Sequence, residues 1–291
     1  MVAKKAHHFV PRMLLRNFAN ERNKLWWFRN ASGLPCPQER LPESIFFQNH
    51  LHAEQLKSGE KDVSLEDEFE ALENLIAPLF AKIIQRSEAG ENLMLSDEER
   101  TLCAVYIYTQ WKRTPQSFGQ QLIQDQFLAY RDRAISRLRQ KSDKFDDEIE
   151  DWLSDEVAQE RVKQNIRVGI MRRMDPQVSD WLSKLSIGVG RISNAKKAFV
   201  ITSNPVVKLT TRDSSTLGEP GVGFYLPISK RVVLFTSTFG DETHGMSIVN
   251  DRWIRNFNLA LCGQSEEIAG HSKELVHSLT KVRGKKKCSE K

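Results

Sequence analysis

A chain of 291 residues with 40% hydrophobic content has the material for one large core or two modest ones, which excludes disorder throughout. Charged residues make up 28% of the chain, and 43 Lys plus Arg against 38 Asp plus Glu give a formal net charge of +5. Acids and bases interleave and only the two ends are clearly basic, which argues against the concentrated stripe of a dedicated nucleic-acid surface.

The segment from Ala6 to Phe18 predicts a short loop carrying His7 and His8, then a helix opened by Pro11 with Met13, Leu14, Leu15 and Phe18 on its buried side. Lys24 to Arg29 has the aromatic content of a strand closed by the turn Asn30 to Gly33, and a second short strand is expected near Ile45-Phe46-Phe47. From Leu65 the apolar residues Phe69, Leu72, Ile76, Leu79 and Ile83 step by four and three, the spacing of one helix face, with Pro78 expected to kink it. Ser96 followed by Glu99 is a capping-box signature, and the helix it opens carries Leu102, Val105, Tyr106 and Thr109 and must end before Pro115. Further helices are predicted from about Phe118 to Leu138 and, after the acidic stretch Asp143 to Asp151, along Trp152, Leu153, Ile166, Ile170 and Met174. Beyond Lys197, four short runs rich in β-branched and aromatic residues predict strands: Ala198 to Thr202, Val206 to Thr211, Phe224 to Ile228 and Val232 to Ser237. Helical patterns return at Ser247 to Leu261 and from Ser265 to about Lys281, and residues 282–291 read as a disordered basic tail.

These elements predict an α+β fold in a single domain over residues 1–281. A central helical bundle (about 65–192) packs with a small, mostly antiparallel sheet formed by the N-terminal strands (about 24–47) and the strands of about 198–237. Cys36, Cys103, Cys262 and Cys288 form no CxxC pair and have no histidine at finger spacing, so neither a disulfide framework nor a structural zinc ribbon is expected. Residues 1–20 lack a signal-peptide apolar core and no apolar run approaches membrane length, so a cytoplasmic protein without membrane contact is expected.

Chemistry concentrates at three places. His7 and His8 stand beside a proline-started helix, where backbone N–H donors and the positive dipole end welcome an anion and keep an imidazole neutral, hence basic. Arg12 and Arg16, one turn apart, add bidentate phosphate contacts, although neighbouring histidines are also ordinary polar loop residues. Gln110 and Arg113, three residues apart near a helix end, face one way and could reach a common ligand, while Lys112 and Arg113 equally suit a helix C-terminus electrostatically. Ser203 and Asn204 before Pro205 lie where a strand ends and a turn begins, a place where such side chains build the turn or point into a cleft. Outside these, Glu66, Asp67, Glu70 and Glu73 include pairs suited to a metal or a proton transfer, a pattern that also describes a solvated helix face. His50 and His52 share a strand face at metal-compatible spacing without a local partner.

Three of these segments together resemble the domain-of-unknown-function family 4238: His7-His8-Phe9-Val10-Pro11 with Leu15-Arg16-Asn17-Phe18, Gln110 to Pro115, and Phe199 to Val206. Its members are similar in an N-terminal HHxVPxxxLRxF motif, a Q/R-T-P helix end and a TSDNPV-like strand turn, and the likeness spans roughly Ala6 to Leu261. Where the family pattern reads Ser-Asp-Asn-Pro, this chain has Ser203-Asn204-Pro205, one residue shorter and without the acid. The resemblance implies that the histidine pair and Arg113 belong to a site and implies no activity.

The functional expectation is a metal-independent phosphodiesterase acting on nucleic acid, RNA in particular, of a kind that suits a bacterial defence or toxin-type effector. In it His7 or His8 is the acid or base, Arg113 with Arg12 and Arg16 holds phosphate charge, and Gln110 with Ser203 or Asn204 orients the substrate. No cofactor is expected. Two other readings stand beside it: a non-catalytic module that binds a nucleotide or another phosphorylated ligand, and a metal-dependent hydrolase using His7 or His8 with Glu70 or Glu73. The sequence contains no P-loop, dinucleotide fingerprint or GxSxG elbow, and oligomeric state is not legible in it.

Overall fold

In a computed structural model, which describes residues 6–30, 36–116, 120–140, 151, 155–210, 222–237 and 246–289, local sequence signals account for most helix boundaries. In chain order the elements are β1 (Ala6–His8), α1 (Arg12–Arg16), β2 (Leu25–Arg29), β3 (Gln38–Arg40), β4 (Phe47–Asn49), β5 (Glu54–Gln55), β6 (Lys61–Asp62) and α2 (Ser64–Ala89). Then follow α3 (Asp97–Arg113), α4 (Gln120–Arg139), α5 (Glu156–Arg172), α6 (Pro176–Ser183), β7 (Ser186–Ile192), β8 (Ile201–Thr202), β9 (Val207–Leu209) and β10 (Gly223–Pro227). The chain closes with β11 (Val232–Ser237), β12 (Met246–Val249), α7 (Asp251–Gly263), β13 (Glu267–Gly270) and α8 (Lys273–Ser289). The fold is mixed α and β, as expected, and among the described residues no helix is long and apolar enough to cross a membrane.

Side-chain caps set the helix starts. Ser96 and Glu99 form both halves of a capping box at α3, Asp155 caps α5, Asp175 with Pro176 opens α6, and Asn250 caps α7. Each satisfies backbone N–H groups that the first turn leaves without a helical partner. α2 continues through Pro78 as one helix.

The described residues group into two compact units, each drawn from separate stretches of chain. The first lies within Met1–His7, Asn49–Phe69 and Pro115–Arg173, the second within His8–Gln48, Glu70–Thr114 and Met174–Lys291. This is a finer division than the single domain read from the sequence.

In the first unit α4 packs against α5, α5 packs against β5, and β5 pairs antiparallel with β6. A small core of Leu65, Phe69, Val168 and Met171 joins the opening of α2 to the end of α5, each side chain contributing roughly 1.5–3 kcal/mol by leaving water. Polar bonds complete the join. Asn165 on α5 clasps Gln55 in both directions, at 2.8 and 3.0 Å, and Arg172 reaches Ser64, Glu54 and Glu68.

The second unit holds two sheets. One has the order β12-β7-β11-β10-β9, antiparallel except where β12 runs parallel to β7; the other is β3-β2-β13-β8 and antiparallel throughout. The N-terminal strands β2 and β3 therefore join later strands, as expected, but through β13 and β8 and not through β9 to β11. Gly188 of β7 lies under the Phe235 ring, so close that an added Cβ would sit 2.2 Å from the ring. α3 packs on β7, β10 and α6, and α8 packs on β13, β2 and α7.

Five boundaries correct the sequence reading. The expected helical region of about 65–192 ends in β7, whose glycines at positions 188 and 190 dilute the β-branched signal of a buried strand. Ser247 to Val249 belong to β12, with α7 starting only after the Asn250 cap, and Glu267–Gly270 form β13 inside the stretch read as the last helix. α8 extends to Ser289, into the segment read as a basic tail. The second N-terminal strand begins at Phe47 as β4, after a 3₁₀ turn at Pro42–Ser44. Phe118, the stretch Asp143 to Glu150, Trp152, Leu153, the turn residues Ala31 to Gly33, and Thr211 lie outside the described residues.

Candidate functional site

Three segments of the first unit converge on one polar cluster. β1 brings His7, the turn after β4 brings His50 and His52, and the first helical turns of α2 bring Glu66. Ser64 starts that helix with its N–H on Asp62 Oδ1 at 2.8 Å, which orients the face that carries Glu66. His7 and His52 are fully buried and the Glu66 side chain is 12% exposed.

The contacts are short and directional. His52 Nδ1 lies 2.6 Å from Glu66 Oε2, His7 Nδ1 lies 3.9 Å from the same oxygen, and the His52 backbone N–H donates to His7 Nδ1 at 3.0 Å. The His7 ring sits 5.4 Å from the His52 ring and 6.0 Å from that of half-buried His50, while Phe69 meets His52 edge-on at 4.9 Å. That phenyl ring walls the imidazole from water, which strengthens every charge interaction at its nitrogens.

α5 holds the histidine turn in place. Gln164 Nε2 donates to the carbonyls of Leu51 (2.8 Å), Ala53 (3.2 Å) and His50 (3.4 Å), and Arg167 in turn donates to Gln164 Oε1 at 3.0 Å. His50 adopts φ +56°, a left-handed conformation that a β-carbon disfavours, so the turn needs such support. One ligand-type atom from each of His7, His52 and Glu66 lies within 4.8 Å of the others. Two histidines and one carboxylate are a donor set for a divalent transition metal with open positions, and the same His52–Glu66 pair is an oriented base.

The other candidate residues of the three motif segments lie in the second unit, where several of their polar atoms bond to the fold. His8 is buried with its ring 5.6 Å from that of Phe47, so it has neighbours different from those of His7, as alternation along a strand requires. Gln110 Nε2 donates to the Phe9 carbonyl at 2.7 Å, and Thr114 Oγ1 approaches Asn204 Oδ1 at 3.5 Å, so the N-terminal, helix-end and strand-turn segments do meet. Arg113, 3% exposed, is held by Glu73 at 2.5 Å. Ser203 Oγ accepts from the N–H groups of Glu266 and Glu267, and the Asn204 N–H donates to Ser265 Oγ. Arg12 is exposed, and Arg16, also exposed, pairs with Glu43 at 3.1 Å, helping to hold that carboxyl below its ordinary pKa after the hydrogen bond from Glu43's own backbone. Val10, Leu14, Leu15 and Phe18 are fully buried, and Asn17 Nδ2 donates to the Ile228 carbonyl at 2.9 Å.

The sequence reading singled out His7, the His50/His52 pair and Glu66 separately but paired His7 with Glu70 or Glu73. No local spacing links positions 45 and 14 residues apart, and nothing in the sequence marked Gln164 or Asn165. No curated protein and no solved structure matches the chain. A family model described as "Protein of unknown function (DUF4238)" matches residues 6–274, which take in all three motif segments, the His7–His52–Glu66 cluster and its α5 support; the chain belongs to that family.

Proposed function

We propose that the chain is a metal-dependent hydrolase whose divalent cation is held by His7, His52 and Glu66, with a phosphodiester as its substrate class. The observation that carries the reading is the convergence of these three ligand types, two of them fully buried, from distant parts of the sequence. Separations of 2.6 and 3.9 Å bracket the roughly 3.3 Å between neighbouring ligands around a cation bound at about 2.0–2.1 Å. Such a cation lowers the pKa of a bound water to about 7 and polarises a phosphoryl oxygen.

The chain's own groups set the terms of loading. His52 Nδ1 and Glu66 Oε2 are engaged with one another and His7 Nδ1 accepts the His52 amide, so a cation competes with these bonds and with protons, and affinity rises with pH. Substrate charge has support in the same unit: α4 carries four arginines against two aspartates, and α5 four basic residues against two glutamates. A second reading rests on the 2.6 Å His52–Glu66 contact, in which the carboxylate orients His52 as a metal-free general base.

The test is metal analysis of the purified protein together with hydrolysis of bis-p-nitrophenyl phosphate and labelled RNA. One equivalent of cation, loss of both cation and hydrolysis in His52→Ala and Glu66→Gln, and reversible inactivation by chelator are expected. Hydrolysis that ignores chelator yet falls in both variants selects the metal-free base. Variants that change neither metal content nor hydrolysis overturn both readings.

A further inference from the structure

In the second unit a cavity of about 440 Å³ opens between α7, the start of α8 and the segment Lys196 to Ala198. Its lining divides by chemistry. Ile254, Leu259, Leu275 and Leu279 form an apolar wall, while Lys196, Lys197 and Arg255, all exposed, stand at the cavity with Glu274 as the one acid of the lining. His271 belongs to the same lining, and its Nδ1 is buried with no hydrogen-bond partner among the described residues. A buried polar atom without a partner costs about 1–3 kcal/mol, which a bound ligand relieves.

The size lies within the roughly 300–1,000 Å³ of small-molecule sites, and an apolar wall with a few converging polar groups is their usual composition. Burial and the nearby Lys230 keep the His271 imidazole neutral, so it can offer one N–H without adding charge. The three cations remain to balance an anion of more than one negative charge.

We propose that this cavity binds an amphipathic phosphomonoester, with the phosphate held by Lys197, Arg255 and His271 and the organic body lying on Ile254, Leu259, Leu275 and Leu279. The inference is independent of the metal centre of the first unit. Charge complementarity selects the dianionic head, and the aliphatic wall selects a body the size of a nucleoside or a short alkyl chain.

Calorimetric titration of the full chain with AMP and with hexyl phosphate, in the presence of chelator so that no cation captures the phosphate, tests the proposal. Adenosine, hexanol, inorganic phosphate and hexanoate serve as probes of each half. Saturable binding of at least one phosphomonoester is expected, ten-fold or more tighter than its dephosphorylated counterpart and than inorganic phosphate. A further loss of ten-fold or more is expected in the Lys197→Glu/Arg255→Glu double variant, whose sites are exposed so that its melting curve should match the parent. His271→Gln should weaken binding with the fold retained. Lack of saturable binding by either ester, equal binding of adenosine or hexanol, hexanoate binding as tightly as hexyl phosphate, or binding unchanged in the double variant would each overturn it.

Discussion

Replacing Gln164 by Glu keeps the shape of the side chain and removes its two N–H donors from the histidine turn. Those hydrogens serve three carbonyls, of Leu51, Ala53 and His50, at 2.8, 3.2 and 3.4 Å, so two full hydrogen bonds' worth of contact is lost and a carboxylate is set against carbonyl oxygens. At about 1 kcal/mol net per bond the loss is about 2 kcal/mol before repulsion. An unfolding entropy of about 2.1 cal/mol/K per residue over 291 residues turns this into a fall of about 3 °C in Tm if the chain unfolds as one. On the proposed metal reading the larger effect falls on the cation, because loosening a group that positions a ligand costs about 10- to 100-fold in metal affinity. Titration with Co²⁺, followed by its visible absorption, measures that affinity directly. Gly223→Ala supplies the control, because its Cβ would meet the Thr236 carbonyl oxygen at 2.6 Å and destabilise the second unit without touching the histidine turn. A Co²⁺ Kd within two-fold of the parent in Gln164→Glu, or an equal loss of affinity in Gly223→Ala, refutes the positioning role.

Glu73→Ala should destabilise the chain by about 2 kcal/mol in urea unfolding, since it removes a charge-assisted hydrogen bond of 2.5 Å from the buried Arg113 guanidinium; a loss under about 0.5 kcal/mol contradicts the structural reading of that pair. Tyr106→Phe should be neutral or stabilising by up to about 1 kcal/mol, because the buried Tyr106 hydroxyl has no hydrogen-bond partner among the described residues. Burial pushes the Cys103 thiol from 9.0 up to about 12, so its contribution is fully present below pH 9 and is lost as pH rises towards 12. At pH 10 the unfolded chain gains about 1.4 kcal/mol from ionising it while the folded chain does not. Burial lowers Lys112 from 10.5 to about 8, which works in the opposite sense, stability rising with pH between those values. The comparison is therefore the pH 8 to pH 10 change in parent against Cys103→Ala, and equal changes in the two refute it.

Helices with strong local signals were legible in advance: Ser96 with Glu99, the apolar ladder from Leu65 to Ile83, and Pro11 ahead of α1 needed only neighbouring residues to define them. Strands were less so. β7 alternates glycine with apolar residues because Phe235 and Val233 occupy the space above it, a reason that exists only after β11 has paired with β7. β12 and β13 occupy stretches whose apolar residues also fit a helical period, and pairing with β7 and β2 decided the outcome. In the motif segment the sequence reading put Leu14, Leu15 and Phe18 on the buried side of the helix, and these three, with Val10, are fully buried.

Composition, caps and apolar periods by themselves determined the fold class, most helices and the strands around Trp26 and Val233, because those signals act between residues a few positions apart. Only the tertiary structure decided that His7 meets His52 and Glu66 and that Arg113 meets Glu73. A side chain's partner across 45 or 40 residues is set by which surfaces pack together, and no local spacing in the chain encodes it.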